Sequence, residues 1–314
     1  MHPYNKNVRM LISLLPQRHR LARLAGIALL GLLCAGGAHA QERADCRAIR
    51  SRILHTSVRY CVFLPASYFT PSAKTRRYPI LYLLHGLGGN AQSAAVDGEW
   101  NTLQDLRAEH KIGDFVVVAP DGWDTFFINS QDGKTLYGNF FFREFMPFIE
   151  RVYRVRKDRA SRGITGFSMG GYGALRIAFG HPELFGSVSA HSAALMREPP
   201  LGVNVGASSG NVLARMFTSV FGDPIDRNFW NRNSPFVLAR EHAAALRTMK
   251  IYFDCGTEDS FGFYRGATEL HRTLDSLKIS HEFHLYPGGH SVSYLLAHRA
   301  ASFEFHWREF QSAH

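Results

Sequence analysis

GFSMGG, at residues 166–171, is the most informative pattern in this chain. Residues 161–165 before it have the composition of a short strand, and residues 172–179 after it have that of a helix. A serine between two glycines on a sharp turn from strand to helix is the pattern of the G-x-S-x-G nucleophile elbow. Such a turn strains the backbone and tolerates only small neighbours, here Gly166 and Gly170. The stretch therefore predicts a nucleophilic Ser168 that attacks acyl groups.

Outward from this turn, short apolar segments alternate with helical patterns. The predicted strands are residues 78–84, 115–119, 161–165, 187–190, 250–254 and 281–286, and the main predicted helices are 92–110, 137–153 (bent at Pro147), 172–179 and 293–310. Uninterrupted apolar strands separated by helices are typical of a mostly parallel sheet with helices on both faces. A hairpin over residues 49–64 is expected to add an antiparallel N-terminal edge. The predicted class is α/β, as one domain over residues 41–314 with a lid-like insertion at 197–249.

The first forty residues have the organisation of a secretory signal peptide. Basic residues precede an apolar run at residues 24–35, and small residues follow at 36–40. The run is shorter than the roughly 20 residues that a membrane span needs. We therefore expect cleavage near Gln41 and a secreted or periplasmic protein, with an uncleaved N-terminal anchor as the alternative. Lipid attachment at Cys34 is disfavoured, because the large Leu33 precedes it.

The charge balance does not favour a nucleic-acid partner. The chain has 36 Lys/Arg and 26 Asp/Glu, a net charge of +10. Five of the basic residues and none of the acidic ones lie in residues 1–40, which leaves a mild +5 for the remainder. This balance gives no support for nucleic-acid binding. No later apolar stretch is long enough to cross a bilayer.

Three cysteines follow the leader, namely Cys46, Cys61 and Cys255. In an oxidising compartment this odd number allows at most one intramolecular disulfide. Cys46 and Cys61 flank the predicted hairpin and can face each other across two antiparallel strands. We expect a Cys46–Cys61 disulfide, with two buried free thiols as the alternative. Cys255, at the end of an apolar strand, is expected to be a small buried residue.

A serine nucleophile needs a base and an acid that orients the base. In hydrolases built on this elbow, the chain order is serine, acid and then histidine. Loops that follow two later predicted strands supply Asp259 and His290 in that order, at the sheet edge where α/β proteins build their sites. We predict His290 as the base and Asp259 as the orienting acid. Glu258 is the alternative acid.

A metal site is the competing interpretation of the histidines. His281 and His284 lie three residues apart on a predicted strand, so their side chains should point to opposite faces. We therefore predict no metal site, and serine chemistry implies no organic cofactor.

The oxyanion that forms on attack needs two preorganised donors. The backbone N–H of Met169 follows the nucleophile at the start of a helix. The loop HGLGG, residues 85–89, follows the first apolar strand, and its glycines let the backbone approach a substrate. We predict the N–H groups of Leu87 and Met169 as the two donors.

Three motifs together resemble one known family: GFSMGGYGAL at 166–175, CGTED at 255–259 and GGHS at 288–291. They are similar to the putative esterase (esterase D-like) family of α/β-hydrolases, which includes feruloyl esterases, S-formylglutathione hydrolases, siderophore esterases and antigen 85 mycolyltransferases. The resemblance extends from about Ile53 through Tyr294. It implies an α/β-hydrolase fold, the triad Ser168, Asp259 and His290, and oxyanion donors at Leu87 and Met169. Many members carry tryptophans after the histidine, where this chain has Val292 and Leu295, so a different pocket wall is implied.

Aromatic residues near the predicted site are candidates for an acyl pocket. Trp123, Phe126 and Phe261 are the substrate-binding candidates, and core packing is an equally weighted alternative. Export favours an external ester substrate: a hydroxycinnamoyl or acetyl ester on a polysaccharide, a siderophore ester or an envelope lipid. We predict a serine esterase that acts through an acyl-enzyme. The alternatives are an acyltransferase of the mycolyltransferase type and, more distantly, a non-catalytic binding module on the same fold.

Overall fold

The structure is a computed structural model that describes residues 41–200 and 212–312. The predicted signal segment, residues 1–40, lies outside the described residues, as does the whole Gly/Ser-containing stretch 202–210. Among the described helices, none combines the length and apolar character that crossing a membrane requires.

The centre of the described chain is one eight-stranded sheet. Its strands are β1 Arg43–Arg50, β2 Ser57–Leu64, β3 Ile80–Leu84, β4 Val116–Pro120, β5 Arg162–Phe167, β6 Ser187–His191, β7 Lys250–Gly256 and β8 Glu282–Tyr286. Their spatial order is β1-β2-β4-β3-β5-β6-β7-β8. Strand β2 pairs antiparallel with both β1 and β4, and every later pairing is parallel. The predicted mostly parallel sheet with an antiparallel N-terminal edge is confirmed.

Helices lie between the strands along the chain. They are α1 Ser93–Val96, α2 Glu99–Ala108, α3 Tyr137–Phe140, α4 Met146–Val152, α5 Met169–Gly180, α6 Val212–Phe221, α7 Arg227–Asn233, α8 Pro235–Glu241, α9 Ala243–Leu246, α10 Phe263–Ser276 and α11 Val292–Gln311. A π-helical turn, Phe141–Phe145, joins α3 to α4, and short 3-10 turns occupy Ala66–Phe69 and Pro71–Ala73.

Both faces of the sheet are buried at its central strands, which explains why the sequence of β3 is apolar throughout. Side chains alternate between faces along a strand. Leu81 and Leu83 belong to a core that includes residues of α2 and α11, whereas Tyr82 and Leu84 belong to a second core that includes residues of α3 to α5. A strand covered on both faces needs apolar residues at every position.

Two predicted helices differ in detail from the structure. The helix expected over 92–110 is two helices, α1 and α2, separated at Gly98, whose φ of 99° lies in the left-handed region. The helix expected over 137–153, with a bend at Pro147, is helical over residues 137–152. A π-helical turn, Phe141–Phe145, interrupts its regular α-helical geometry directly before Pro147, a residue that has no N–H to donate within a helix.

The segment expected as an insertion, 197–249, carries α6 to α9 between β6 and β7. Phe217 and Phe221 of α6 and Trp230 of α7 are buried. Phe217 and Phe221 contact Phe126, at ring-centroid distances of 5.0 and 5.8 Å. Aromatic packing therefore anchors the described part of this segment on the domain.

Candidate active site

Ser168 lies between the end of β5 and the start of α5, on the predicted turn. Its φ of 55° and ψ of −116° are unfavourable for a residue with a side chain. A Cβ at Gly170 would overlap the carbonyl of Leu84, and one at Gly166 would overlap the carbonyl of Gly170. The two glycines therefore allow α5 to begin directly against the strands, which holds the serine in its strained conformation.

The structure brings the three predicted catalytic side chains together. His290 Nε2 lies 2.8 Å from Ser168 Oγ, and His290 Nδ1 lies 2.7 Å from Asp259 Oδ2. The Asp259 side chain is fully buried and that of His290 is 8% exposed. In the arrangement that satisfies both contacts, Nδ1–H donates to Asp259 and Nε2 accepts from the serine hydroxyl. Glu258, the alternative acid, is exposed.

Asp259 is fixed by further donors. Its Oδ1 accepts from the backbone N–H of Phe261 at 2.9 Å. The thiol of Cys255 lies 3.6 Å from Oδ2. Burial, followed by the charge of Asp259, raises the pKa of this thiol well above its ordinary value. The thiol therefore stays protonated and can donate to Asp259. Together, these donors hold the Asp259 carboxylate in position to accept from His290.

A buried histidine fixes the loop that carries Leu87. Desolvation lowers the pKa of His85, so its ring is neutral. A tautomer in which Nδ1–H donates to Gly86 O at 2.8 Å leaves Nε2 to accept the Gly122 N–H, also at 2.8 Å. This bridge sets the position of the loop beside Ser168. Sequence analysis did not assign this role to His85.

The two residues predicted to supply the oxyanion donors both lie next to the nucleophile. Leu87 borders the same cavity as Ser168 and His290. Met169 is the first residue of α5, where backbone N–H groups have no acceptor within the helix and carry partial positive charge. The arrangement can stabilise a negative oxygen that forms at a carbon attacked by Ser168.

A cavity of about 190 Å³ opens at the nucleophile. It is lined by Gly86, Leu87, Phe167, Ser168, Met216, Phe261, Phe263 and His290. Phe261 and Phe263 place their rings edge-on to the His290 imidazole, at 4.8 and 5.5 Å between centroids, and Phe167 stacks on it at 5.0 Å. Aromatic side chains therefore surround the base and form an apolar wall.

Two of the three substrate-binding candidates do not line this cavity. Phe126 is fully buried and packs edge-on against Tyr172 as well as on α6, so it is a core residue. Trp123 borders a separate cavity of about 360 Å³ together with Thr56 and Lys134. Of the three candidates, only Phe261 reaches the nucleophile. Sequence analysis missed Met216, because only tertiary packing brings α6 to the site.

A second imidazole–carboxylate pair, which sequence analysis also missed, lies beneath the triad. His191 Nδ1 is 2.7 Å from Asp254 Oδ2, and both side chains are fully buried. Burial alone would raise the pKa of Asp254, but the charge of His191 and the hydrogen bond from Tyr294 outweigh it and lower this pKa. His191 and Asp254 are polar residues at the ends of two apolar strand sequences, and this pattern could have indicated that they are special. The register of β6 and β7 places the two residues directly opposite each other.

The expected cysteine pair is bonded in the structure. Strands β1 and β2 pair Cys46 with Cys61, and a disulfide joins the two sulfurs. Cys255 is free and buried. Within the described residues, one group of three metal-ligating side chains lies together, formed by His271, Asp275 and His281. It includes only one member of the His281 and His284 pair weighed from the sequence.

Several known proteins that are similar to this chain are esterases. An esterase of Mycobacterium tuberculosis (strain CDC 1551 / Oshkosh) is 31% identical over 246 residues, which cover 73% of this chain and 51% of that protein. An acetyl esterase of Caldicellulosiruptor saccharolyticus is 24% identical over 241 residues, covering 77% of this chain and 88% of the relative. A solved ferulic acid esterase structure superposes with a TM-score of 0.72 at 28% identity, over 86% of this chain and 99% of that one.

The chain spans about half the length of the mycobacterial relatives that it matches. The model of the family described as "Putative esterase" matches residues 51–301, a range that includes Ser168, Asp259 and His290. The chain therefore belongs to the "Putative esterase" family.

Proposed function

We propose that the protein is a serine esterase that hydrolyses a carboxylic ester through an acyl-enzyme. The observation that carries the proposal is the hydrogen-bonded series Ser168–His290–Asp259, with contacts of 2.8 and 2.7 Å, at the mouth of a cavity. Family membership and esterase relatives on the same fold support it.

Each residue has a defined part in the reaction. Ser168 Oγ attacks the carbonyl carbon of the ester while His290 Nε2 takes the hydroxyl proton. Asp259 stabilises the imidazolium, and the N–H groups of Leu87 and Met169 stabilise the oxyanion. His290 returns the proton to the leaving alcohol oxygen, which leaves the acyl group on Ser168. His290 then takes a proton from water while the water oxygen attacks the acyl carbon, and it returns this proton to Ser168 Oγ as the bond between Oγ and the acyl carbon breaks and the acid leaves.

The cavity supports a small acyl group. Its volume of about 190 Å³ is below the roughly 300–1,000 Å³ of pockets that enclose drug-sized ligands. Its aromatic wall suits either an acetyl group or a single aromatic ring, such as that of a hydroxycinnamoyl ester. A long envelope-lipid chain would extend beyond the described cavity.

The proposed site of action is outside the cytoplasm. The leader-like pattern of residues 1–40 and the Cys46–Cys61 disulfide both support export. A polysaccharide-linked ester is then an accessible substrate. Cell fractionation followed by N-terminal sequencing tests this proposal, because a cytoplasmic protein that still begins at Met1 would contradict it.

The direct test of the proposed activity is Ser168→Ala. We expect kcat on p-nitrophenyl acetate to fall about 10³-fold or more, with an unchanged circular dichroism spectrum and loss of fluorophosphonate labelling. Ser276→Ala, which changes an exposed serine on α10, is the matched control. A Ser168→Ala protein that hydrolyses the ester at the native rate would exclude the mechanism.

A substrate panel separates the finer alternatives. We expect aryl and acetyl esters to be cleaved faster than long-chain esters, because the cavity is small. Adding glycerol or a sugar acceptor distinguishes hydrolysis from acyl transfer, since a transferase would yield the transesterified product at the expense of free acid.

A further inference from the structure

Three side chains with metal-binding atoms meet on the surface, where α10 passes the entry to β8. His271 and Asp275 lie one turn apart on α10, and His281 lies just before β8. One ligand atom from each residue lies within 4.8 Å of the others. Neither the triad nor the oxyanion loop includes any of the three.

His281 is oriented by its surroundings. Its side chain is 3% exposed, and its ring stacks on Phe253 at 5.7 Å between centroids. A tautomer in which Nδ1–H donates to the carbonyl of Ile279, 2.8 Å away, leaves the Nε2 lone pair directed into the cluster. Metal-binding histidines are commonly held in this way, with the second ring nitrogen donating to a backbone carbonyl.

The partners of His281 offer further lone pairs. His271 Nδ1 lies 2.8 Å from His281 Nε2, and the His271 ring stacks on Phe283. An Asp275 carboxylate oxygen lies 3.4 Å from His271 Nε2, and the other lies 3.9 Å from His281 Nε2. Only one proton can lie between the two facing ring nitrogens. A divalent cation in its place would satisfy both rings and the carboxylate together.

We propose that His271, Asp275 and His281 form a binding site for a divalent transition-metal ion, with zinc as the best match. Two imidazole nitrogens and one carboxylate are ligands that zinc prefers, whereas calcium and magnesium favour oxygen alone. Tetrahedral bonds of about 2.0–2.1 Å to nitrogen place two ligand nitrogens about 3.3 Å apart. The ring nitrogens, now 2.8 Å apart, must therefore separate slightly.

Exposure makes this adjustment easy and leaves room for water. The side chains of His271 and Asp275 are 36% and 61% exposed. Both can rotate without disturbing the core, and solvent can occupy the remaining coordination position. His281 supplies the fixed ligand, and the α10 ligands move to the metal.

The metal would act as a structural cross-link. Asp275 lies twelve residues beyond Phe263, the first residue of α10, which is about 18 Å along a helix. The ion would tie the end of α10 to β8, the last strand of the sheet, without contacting Ser168. Binding should therefore stabilise the fold and leave ester hydrolysis unchanged.

The test uses the full chain, purified without a polyhistidine tag and treated with a chelator. Isothermal titration with zinc chloride should show one site per chain, with proton release detected by comparing buffers of different ionisation enthalpy. Zinc should also raise the melting temperature of the stripped protein. Wild-type protein that binds no zinc in this titration would overturn the proposal.

Variants assign the ligands. His271→Ala and Asp275→Asn change partly exposed residues and should fold, and each should weaken zinc binding about 10-fold or more. His281→Ala should abolish binding. His284→Ala, which changes the neighbouring histidine of β8, should bind zinc as the wild type does. Native affinity in His271→Ala, or an equal loss in His284→Ala, would show that the ion is not held by this cluster.

Discussion

At the residue scale, the backbone conformation at each aromatic residue determines whether its side chain can contact a substrate. Phe261 follows Asp259 by two residues and remains 40% exposed at the cavity. Phe126 has a φ of 52° and lies wholly in the core. All the aromatic residues weighed from the sequence have similar chemistry, so their different roles depend on the turn that each occupies.

Phe261→Ala should therefore impair aryl esters selectively. An aromatic contact is worth about 0.5–1.5 kcal/mol, so kcat/KM for a hydroxycinnamoyl ester should fall about 3- to 10-fold while that for an acetyl ester changes little. Trp123→Ala, which changes an aromatic residue of a different cavity, is the matched control. An equal loss on both esters would indicate that Phe261 acts through His290 and does not contact the acyl group.

At the scale of elements, the buried His191–Asp254 pair joins the three segments that carry the triad. The backbone N–H of Ser168 donates to His191 O at 2.9 Å. Tyr294, four residues after His290, donates its hydroxyl to Asp254 Oδ1 at 2.9 Å. Asp254 lies on β7, whose end leads to Asp259. We infer that these contacts position the catalytic groups.

Removal of one hydroxyl tests this inference. Tyr294→Phe should lower kcat about 10-fold with little change in KM, because small displacements of a catalytic group are costly. Tyr78→Phe is the control, because Tyr78 is a buried tyrosine whose hydroxyl lies 2.9 Å from Ser67 Oγ at the other end of the sheet. Equal effects of the two changes on kcat would assign Tyr294 a purely structural role.

The N-terminal hairpin depends on its disulfide. Strand β1 is mostly exposed and lies at the sheet edge, so it buries little apolar surface. A cross-link between residues 15 apart stabilises a fold by about 3 kcal/mol in the chain-entropy estimate.

Cys46→Ala/Cys61→Ala should therefore lower the free energy of unfolding by about 3 kcal/mol in urea denaturation. Ester hydrolysis at 25 °C should persist, since the hairpin lies outside the triad. Dithiothreitol should destabilise the wild type to the same level and leave the double variant unaffected. A double variant as stable as the oxidised wild type would contradict the expectation.

At the scale of the whole molecule, buried histidines couple stability to pH. His306 on α11 is fully buried, with its Nδ1 2.8 Å from Ser187 Oγ and its Nε2 2.9 Å from Ser189 Oγ. Burial, and then the charges of Arg299 and His191, lower the pKa of His306 well below its ordinary value. The folded protein therefore keeps this ring neutral when the unfolded chain protonates it.

The sign of the effect follows from this difference. Above about pH 6.5, both states are neutral at this position and His306 contributes its full stability. Below it, only the unfolded state gains the proton, so the free energy of unfolding falls by up to about 1.4 kcal/mol per pH unit. In urea denaturation at pH 7.5 and 5.5, His306→Gln should reduce the wild-type loss by about 1 kcal/mol. The same loss in both proteins would show that His306 is protonated in the fold.

The amino-acid pattern was enough to predict the fold class and the three side chains of the proposed triad. Glycine spacing, strand–helix alternation and chain order are local or linear properties, and the elbow around Ser168 is a steric requirement visible in the residue types. Asp259 and His290 could be predicted because parallel strands bring their following loops to one edge of the sheet.

Which side chains surround these groups depends on three-dimensional packing. Met216 reaches the cavity from a segment 48 residues beyond Ser168, and His271 meets His281 across two elements. No local pattern specifies such contacts, because they depend on how helices pack and on which way each turn directs its side chains. The buried His191–Asp254 pair shows the same limit: the sequence contains both residues, but strand register makes them partners.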